Sequence, residues 1–285
     1  MTAGTWGDRH ARAARRLGSE REAAWLVEEA SGYAWPACAG GAVAELPGRR
    51  FESLLERRSA GEPLQYVLGR WPFRTIELMV DRRVLIPRPE TEQVVEVALR
   101  ELDRLGRSRP VVVDLGTGSG AIALAVAWER ASATVWATER SPAALDVARA
   151  NAAGLDGAAA TRLRFAEGDW WDALPADLQG RIDLAVSNPP YVSSAEMRGL
   201  DPVVADWEPR PALESGPTGL EAVQAVLGGA PRWLAPGGAM VMELAPHQAE
   251  AARAAAAGAG LVGAVVHPDL AGRPRALVAH RAAGR

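Results

Sequence analysis

The chain has 285 residues, 48% of them hydrophobic, and a formal net charge of −3. This length suits one large α/β domain with a small accessory domain, and the lack of net positive charge or of a dense basic run disfavours bulk binding to nucleic acid or anionic membranes. The single cysteine, Cys38, excludes an internal disulfide, and the four histidines lack metal-ligand spacing, so no metal is expected.

The first 60 residues predict a small helical domain. Apolar residues recur at helical spacing between Ala23 and Ala30, and again around Phe51. The amino terminus is Arg-rich without an apolar targeting segment, and no apolar run reaches the length of a membrane span. We therefore expect a soluble, cytoplasmic protein whose first domain comprises residues 1–60.

The next segment, residues 61–90, predicts a β-hairpin linker. Apolar and polar residues alternate there around Phe73, Ile76 and Leu78, which is typical of half-buried strands. From residue 91 to 105, apolar side chains return at helical spacing. This helix is expected to open the second domain, residues 91–285.

Beyond Pro110, strand and helix patterns alternate. Strands are predicted at 111–115, 134–138, 163–166, 182–187, 239–244, 261–267 and 275–280, and helices at 121–129, 142–153, 219–227 and 247–257. Such alternation predicts an α/β fold with a doubly wound, seven-stranded, Rossmann-like sheet. The connection between the last two strands is too short for a crossover, so they should pair antiparallel. A terminal antiparallel hairpin is typical of the class I methyltransferase sheet.

A glycine-rich loop follows the first strand of this sheet. It consists of Gly116, Thr117, Gly118, Ser119 and Gly120, directly before a predicted helix. Glycines there let the backbone approach a ligand closely, and free amides at the helix start can meet a carboxylate or phosphate. The same residues also satisfy the loose dinucleotide-binding fingerprint, so the loop alone does not decide between ligands.

Two further residues follow the next strands. Glu139, about 20 residues beyond the loop, can accept the hydroxyl protons of an adenosine ribose, or it can pair with Arg140 as a solvated carboxylate. Trp170, after the third strand, can lie against an adenine or can simply pack. Together with the loop, these residues favour an adenosine-containing ligand.

The tetrad Asn188, Pro189, Pro190 and Tyr191 follows the apolar strand 182–187, which the two prolines end abruptly. The side-chain oxygen of Asn188 and the carbonyl of Pro189 can each accept one N–H of a planar NH2 group, against which Tyr191 can pack. Such a clamp would suit methylation of an amide or nucleobase nitrogen. Taken alone, the tetrad also fits a proline turn with an Asn cap and a packed Tyr.

Together, these residues resemble the S-adenosyl-L-methionine-dependent amino methyltransferases that carry an NPPY-type tetrad. Within them, the chain resembles the peptide chain release factor glutamine methyltransferases from about residue 12 to 280. The matching segments are 61–66, 86–92, 114–120, 188–191, 207–210 with 212–213, and 269–273.

The resemblance implies methyl transfer from S-adenosyl-L-methionine to the glutamine side chain in the Gly-Gly-Gln motif of bacterial release factors, which the helical domain grips. It implies that residues 116–120, Glu139, Trp170 and Asn188 bind the cofactor. It also implies that Asn188 to Tyr191 hold the substrate glutamine, with Asn188, Pro189 and Tyr191 as the catalytic residues. A monomer without direct contact to nucleic acid or membrane is expected.

The chain departs from the family pattern at two places. Glu139 stands where the family more often has Asp, and residues 213–219 replace a run usually richer in Gly and Asp. Four alternatives to release factor methylation stay open: glutamine methylation of a ribosomal protein, amino methylation of a nucleobase, a non-catalytic adenosine-binding scaffold and, as the least favoured, a nicotinamide dehydrogenase, which would leave the tetrad unexplained.

Overall fold

A computed structural model of the chain describes residues 4–155 and 157–284. These residues form two compact units: the first ends at Arg70 and also includes Asp201–Trp207, while the second comprises Trp71–Leu200 and the chain from Glu208 onward. The predicted division at residues 60 and 90 stays a prediction. None of the helices within the described residues is long and apolar enough to cross a membrane.

The helices and strands are numbered here in chain order over the described residues. The helices are α1 (Trp6–Leu17), α2 (Glu20–Ser31), α3 (Glu45–Ser59), α4 (Leu64–Leu68), α5 (Pro89–Leu105), α6 (Ala121–Glu129), α7 (Pro142–Ala153), α8 (Gly157–Ala160), α9 (Pro202–Ala205), α10 (Glu221–Trp233) and α11 (Ala249–Gly258). The strands are β1 (Arg70–Phe73), β2 (Ile76–Met79), β3 (Val111–Leu115), β4 (Thr134–Glu139), β5 (Leu163–Glu167), β6 (Ile182–Ser187), β7 (Leu234–Glu243), β8 (Val262–Pro268) and β9 (Pro274–His280).

The first unit is helical, as the apolar spacing predicts. The face of α2 that carries Leu26 and Val27 is fully buried and packs in one core with Phe51 of α3. Thr5 begins α1 through a reciprocal pair of hydrogen bonds with Asp8, which satisfies amides that the first helical turn leaves open.

The hairpin that the sequence predicts in residues 61–90 is shorter than the alternation suggests. The helix α4 comes first, and only β1 and β2 pair as strands, with Phe73 and Ile76 buried. After β2 a turn begins at Asp81, whose carbonyl accepts a hydrogen bond from the amide of Val84 at 3.0 Å. Val84 is buried in spite of this turn, so the alternation reflects burial rather than strand pairing.

The second unit is built on a seven-stranded sheet in the order β5-β4-β3-β6-β7-β9-β8. Neighbouring strands are parallel from β5 to β7, whereas β9 pairs antiparallel with both β7 and β8. The sheet and its terminal antiparallel hairpin confirm the predicted class I methyltransferase fold. The central strands β3 and β6 are nearly continuous runs of buried residues, as expected for strands covered on both faces, whereas the edge strand β5 has one buried residue, Leu163.

The strand order reverses between β3 and β6, because the chain runs outward through β4 and β5 on one side and through β7 on the other. Such a switch point opens a crevice at the carboxyl ends of the strands, where ligands bind in open α/β sheets. Leu115 and Ser187, the last residues of β3 and β6, are paired in register, and the Ser187 hydroxyl donates to the Leu115 carbonyl at 2.7 Å. The glycine-rich loop and the tetrad therefore leave the sheet side by side.

Candidate active site

A cavity of about 430 Å³ lies within the second unit at the carboxyl ends of the parallel strands. Ligand pockets for small molecules typically measure about 300–1,000 Å³. The residues predicted from sequence that line this cavity are Gly116, Thr117, Gly118, Ser119, Glu139, Trp170, Asn188 and Pro190. The remaining predicted site residues, Gly120, Pro189 and Tyr191, are not among its lining residues in the described part of the chain.

The glycine-rich loop curls back over the end of β4. The amides of Gly116 and Thr117 both donate to the carbonyl of Thr138 at 2.9 Å. Gly116, Gly118 and Gly120 have φ angles of 75°, 55° and 86°, a region that glycine adopts without steric cost. At Gly120 a Cβ would also lie 2.6 Å from Leu124, so this glycine shapes the turn into α6 rather than the cavity wall.

Asp114, at the end of β3, holds the loop in this shape. One of its oxygens accepts the Thr117 hydroxyl at 2.5 Å and the Ala123 amide at 3.1 Å. The side chain is buried, and this burial raises its pKa to about 7 in spite of the two hydrogen bonds, with the negative charge of Glu139 adding to the effect.

Glu139 joins the loop to the start of α7. Its Oε2 accepts the amide of Gly118 at 3.0 Å and its Oε1 accepts the amide of Ser141 at 2.9 Å. An ionised carboxylate oxygen can accept more than one hydrogen bond. The half-buried side chain can thus accept ligand hydroxyl protons as well as the two amides.

The adjacent tryptophans after β5 have different environments. Trp171 is buried, donates its indole N–H to the carbonyl of Val226 at 2.8 Å and stacks on Trp233 with ring centroids 6.1 Å apart. Trp170, with a φ of 44°, is half-buried and lines the cavity. Packing therefore accounts for Trp171, whereas Trp170 both packs against the same core and lines the cavity, so its contact with a ligand stays a prediction.

The tetrad is held by residues from two other segments. The Asn188 Nδ2 donates to the hydroxyl of Thr91, in the first turn of α5, at 3.3 Å, and this hydroxyl donates to Oε2 of Glu243, the last residue of β7, at 2.7 Å. The main-chain carbonyl of Tyr191 accepts the side-chain N–H of Gln248 at 2.9 Å. Burial raises the pKa of the Tyr191 hydroxyl to about 12, and the charge of Glu243 adds to this rise.

Glu243 and Gln248 were not among the residues predicted from sequence. Glu243 is a single carboxylate at the end of an otherwise apolar strand, and a charged residue in such a position is a signal for a functional site. Gln248 also donates to the carbonyl of Gly219 at 3.0 Å and accepts the amide of Ala245 at 3.3 Å, so its amide connects three turns around the site. Nothing in its local sequence indicates this role.

Glu208 connects two of the segments that carried the family resemblance. Its buried carboxylate accepts the amide of Ile86 at 3.2 Å and pairs with the guanidinium of Arg88. The cavity wall includes the neighbouring Pro87 and Pro209. These two segments therefore form one wall of the cavity, rather than a linker that is independent of it.

Two known families match the chain. The Methyltransferase small domain matches residues 93–201, and the PrmC N-terminal domain matches residues 9–69. The solved methyltransferase from Pyrococcus furiosus is similar in fold, with a TM-score of 0.50 and 16% identity over 82% of this chain and 99% of that chain. The catalytic domain of hMettl16 is similar with a TM-score of 0.57 and 12% identity over 84% of this chain and 82% of that chain.

Curated relatives are more similar in sequence. A release factor glutamine methyltransferase of Xylella fastidiosa is 46% identical over 230 residues, which is 80% of each chain. Proteins of the same name from Bordetella pertussis and Deinococcus radiodurans are 48% and 42% identical, over 79% and 81% of this chain and 80% and 78% of their own lengths.

Proposed function

The chain belongs to the release factor glutamine methyltransferase family, and we propose that its substrate is the glutamine of the Gly-Gly-Gln motif in peptide chain release factors. The enzyme is an S-adenosyl-L-methionine-dependent methyltransferase. Within the structure, the observation that supports methyl transfer is the cavity, because it is lined both by Gly116 and Glu139, which are predicted to bind the nucleoside, and by Asn188, which is predicted to bind the substrate amide.

The residues of the cavity fit the cofactor. Its volume of about 430 Å³ suits a nucleoside-sized ligand, and the loop has no Cβ at Gly116 and Gly118 where the backbone meets the cavity. The Glu139 carboxylate can accept ribose hydroxyl protons, and the Trp170 indole can pack against the adenine. When bound, the cofactor supplies an electrophilic methyl group on a sulfonium sulfur.

The chain's own residues would orient the substrate amide. An amide nitrogen is a poor nucleophile because its lone pair is delocalised into the carbonyl group. With one N–H donated to the Asn188 oxygen and the other to the Pro189 carbonyl, the nitrogen is fixed and the positive charge that develops on it is stabilised. Tyr191 would pack against the plane of the amide. Neither Pro189 nor Tyr191 lines the cavity, so their roles are proposed from the tetrad motif rather than from the cavity lining.

Orientation of two bound reactants can lower the barrier by about 7–11 kcal/mol, so the reaction does not require a dedicated general base. The nitrogen would be held by the Asn188 oxygen and the Pro189 carbonyl so that it faces the methyl group that the cofactor would supply when bound. Once methylated, it loses one proton to solvent, since a positively charged amide nitrogen is strongly acidic. The described residues of the site therefore need only to position the amide and exclude competing water.

The substrate class rests on the family. The helical first unit, whose sequence matches the PrmC N-terminal domain, is proposed to grip the release factor, and the enzyme is proposed to act as a cytoplasmic monomer. The net charge of −3 offers no general attraction for nucleic acid. This favours a protein substrate over a nucleobase.

Incubation of the purified protein with labelled methyl donor and a release factor tests the proposal. We expect label on the Gly-Gly-Gln glutamine, located by mass spectrometry, and none on a release factor in which that glutamine is replaced by alanine. Ribosomal proteins and nucleic acid are incubated in parallel. Label on either of these but not on the release factor, while a known family enzyme labels the same preparation, would overturn the proposed substrate.

A further inference from the structure

Asn188 is connected to a buried carboxylate through a single hydroxyl. The distances are 3.3 Å from Asn188 Nδ2 to Thr91 Oγ1 and 2.7 Å from this hydroxyl to Glu243 Oε2. We infer that Thr91 and Glu243 are positioning residues, which determine the direction in which the Asn188 side-chain amide faces. The inference rests on the proposed function, in which the Asn188 oxygen accepts an N–H of the substrate.

The direction follows from the protons that each group carries. A carboxylate can only accept hydrogen bonds, so the one hydroxyl proton of Thr91 is donated to Glu243. The Thr91 oxygen can then only accept from Asn188, which must present its NH2 rather than its oxygen. The oxygen lies at the opposite corner of the planar amide and is left for the cavity that Asn188 lines.

Without this constraint the amide has no fixed orientation. An Asn side chain rotated by 180° has nearly the same shape, with oxygen and nitrogen exchanged. In the rotated state its NH2 would face the NH2 of the substrate, and two donors cannot hydrogen-bond to each other. A hydroxyl with a fixed donor direction therefore decides whether Asn188 can hold the substrate amide at all.

The surroundings of Glu243 support a role other than stability. Its side chain is 1% exposed, and Oε1 has no hydrogen-bond partner among the described residues. The nearest positive group, the guanidinium of Arg275, lies 4.0 Å from this oxygen and donates instead to the carbonyl of Leu244. A buried carboxylate without a close ion pair lowers folding stability relative to an apolar residue. The inferred role of Glu243 in orienting the Thr91 hydroxyl accounts for a carboxylate at this buried position.

Three variants test this inference. Thr91→Ser keeps the hydroxyl, and Thr91→Val removes it at nearly equal side-chain volume. Glu243→Gln reverses the direction of the hydrogen bond between residue 243 and the Thr91 hydroxyl. In Glu243→Gln the side-chain oxygen should face Arg275, because a guanidinium only donates, so the side-chain NH2 faces Thr91. The Thr91 hydroxyl would then accept from that NH2 and donate to the Asn188 oxygen, which would turn the amide around.

We expect Thr91→Ser to methylate the release factor at close to the wild-type kcat. Thr91→Val and Glu243→Gln should each lower kcat roughly 10- to 100-fold, because one oriented acceptor is lost in the transition state. The affinity for S-adenosyl-L-methionine, measured by calorimetry, should fall by a smaller factor than kcat does, because Thr91 and Asn188 line the cavity but neither belongs to the loop that holds the cofactor. A wild-type kcat in Thr91→Val and Glu243→Gln would overturn the inference.

A spectroscopic measurement tests the orientation independently of any substrate. The chain has two asparagines, Asn151 and Asn188, so protein labelled with ¹⁵N-asparagine gives two side-chain NH2 signals. The Asn151 amide donates to the carbonyls of Met79 and Ser119 at 3.0 and 2.8 Å, away from Thr91, and serves as the internal control. We expect the Asn188 signals alone to shift and to exchange faster with solvent in Thr91→Val and Glu243→Gln.

The two measurements separate the possible failures. If the wild-type protein does not methylate the release factor, the proposed function is wrong, and the Asn188 signals still decide whether Thr91 and Glu243 orient the amide. If the wild-type protein is active and the Asn188 signals are the same in all variants, the inference is wrong. A shift of the Asn151 signals as well would indicate a general loss of structure, and would also count against a specific positioning role.

Discussion

The indole of Trp170 occupies the space that a side chain on Gly116 would need. A Cβ on Gly116 would lie 2.8 Å from Cζ3 of Trp170, closer than carbon atoms approach without displacement. The two residues follow β3 and β5, two different strands of the sheet. The wall of the cavity therefore depends on a glycine and an aromatic ring that are 54 residues apart in sequence and in contact in space.

We expect Gly116→Ala to weaken binding of S-adenosyl-L-methionine by more than about tenfold. The new methyl group must displace the Trp170 indole, and a φ of 75° costs a non-glycine residue about 1–2 kcal/mol. Gly106→Ala is the matched control, since Gly106 also has a positive φ, of 61°, but has nothing within 4 Å of its Cβ and lies outside the cavity. Calorimetry should show wild-type affinity in Gly106→Ala, and equal affinities in the two variants would contradict the prediction.

A second prediction concerns Glu139, whose two oxygens accept the amides of Gly118 and Ser141. In Glu139→Gln one of these oxygens becomes an NH2 group that faces a backbone donor. We expect the affinity for S-adenosylhomocysteine to fall roughly tenfold or more, because a lost hydrogen bond to a charged group costs about 1.5–3 kcal/mol. Glu167→Gln, in the register position opposite Glu139 on β5, is the control. If Glu167→Gln loses as much affinity for S-adenosylhomocysteine as Glu139→Gln, the loss comes from disturbing the edge of the sheet and not from the Glu139 carboxylate.

Much of the fold could be predicted because its determinants are local. The central strands β3 and β6 are short apolar runs, the first between Pro110 and Gly116 and the second between Gly180 and Pro189, as expected for strands that are buried on both faces. Helix α10 shows where this fails. The Gly and Pro residues after Leu227 predict its end, yet it continues to Trp233 because the buried Ala230 and Trp233 pack against the sheet core.

The site also contains residues that local sequence patterns predict and residues that they do not. The glycine-rich loop, Glu139 and the tetrad each stand at a strand end, and sequence position alone brings them together once the sheet order is known. Thr91 and Gln248 reach the tetrad across 97 and 57 residues of chain. Their hydrogen bonds depend on the packing of α5 and of the turn after β7, which no local pattern encodes.

A third prediction is that kcat decreases as the pH falls through about 7. Burial raises the pKa of Glu243 to about 7, and the negative charge of Glu90 raises it further. The hydrogen bond from Thr91 and the positive charges of Arg275 and Arg88 lower this pKa by smaller amounts. The Tyr191 hydroxyl also interacts electrostatically with this carboxyl group. Below this pH the protonated acid can donate to Thr91, which frees the Thr91 hydroxyl to donate to the Asn188 oxygen. The substrate amide then loses its acceptor, so activity belongs to the ionised form.

Single-turnover rates between pH 5.5 and 8.5, with saturating cofactor and release factor, measure this dependence. Glu243→Gln should be slow and should lack the inflection near neutral pH. Asp114→Asn is the control, because burial also raises the pKa of Asp114 to about 7 but its hydrogen bonds go to Thr117 and Ala123 rather than to the tetrad. If the inflection is lost in Asp114→Asn and kept in Glu243→Gln, the titrating group is Asp114, and the prediction for Glu243 is wrong.

The last prediction uses two adjacent glycines of α10. A Cβ on Gly229 would lie 2.2 Å from Cδ1 of Trp171, whereas a Cβ on the exposed Gly228 has nothing within 4 Å. Overpacking a dense core costs about 1–3 kcal/mol, so Gly229→Ala should lower the free energy of unfolding by about this amount. Gly228→Ala should raise it by about 0.5–1 kcal/mol, because alanine is the better helix former.

Urea unfolding gives the two free energies, and cofactor binding shows how far the disturbance reaches. The indole of Trp171 is fixed by its hydrogen bond to Val226 and by its stacking on Trp233, so the methyl group at position 229 must push it out of this arrangement. Because Trp170 precedes Trp171 in the same 3-10 turn, the displaced chain should also weaken cofactor affinity in Gly229→Ala. If Gly229→Ala and Gly228→Ala have equal free energies of unfolding, Trp171 moves aside without loss of stability. In that case the close packing at Gly229 does not determine the position of Trp170 at the cavity.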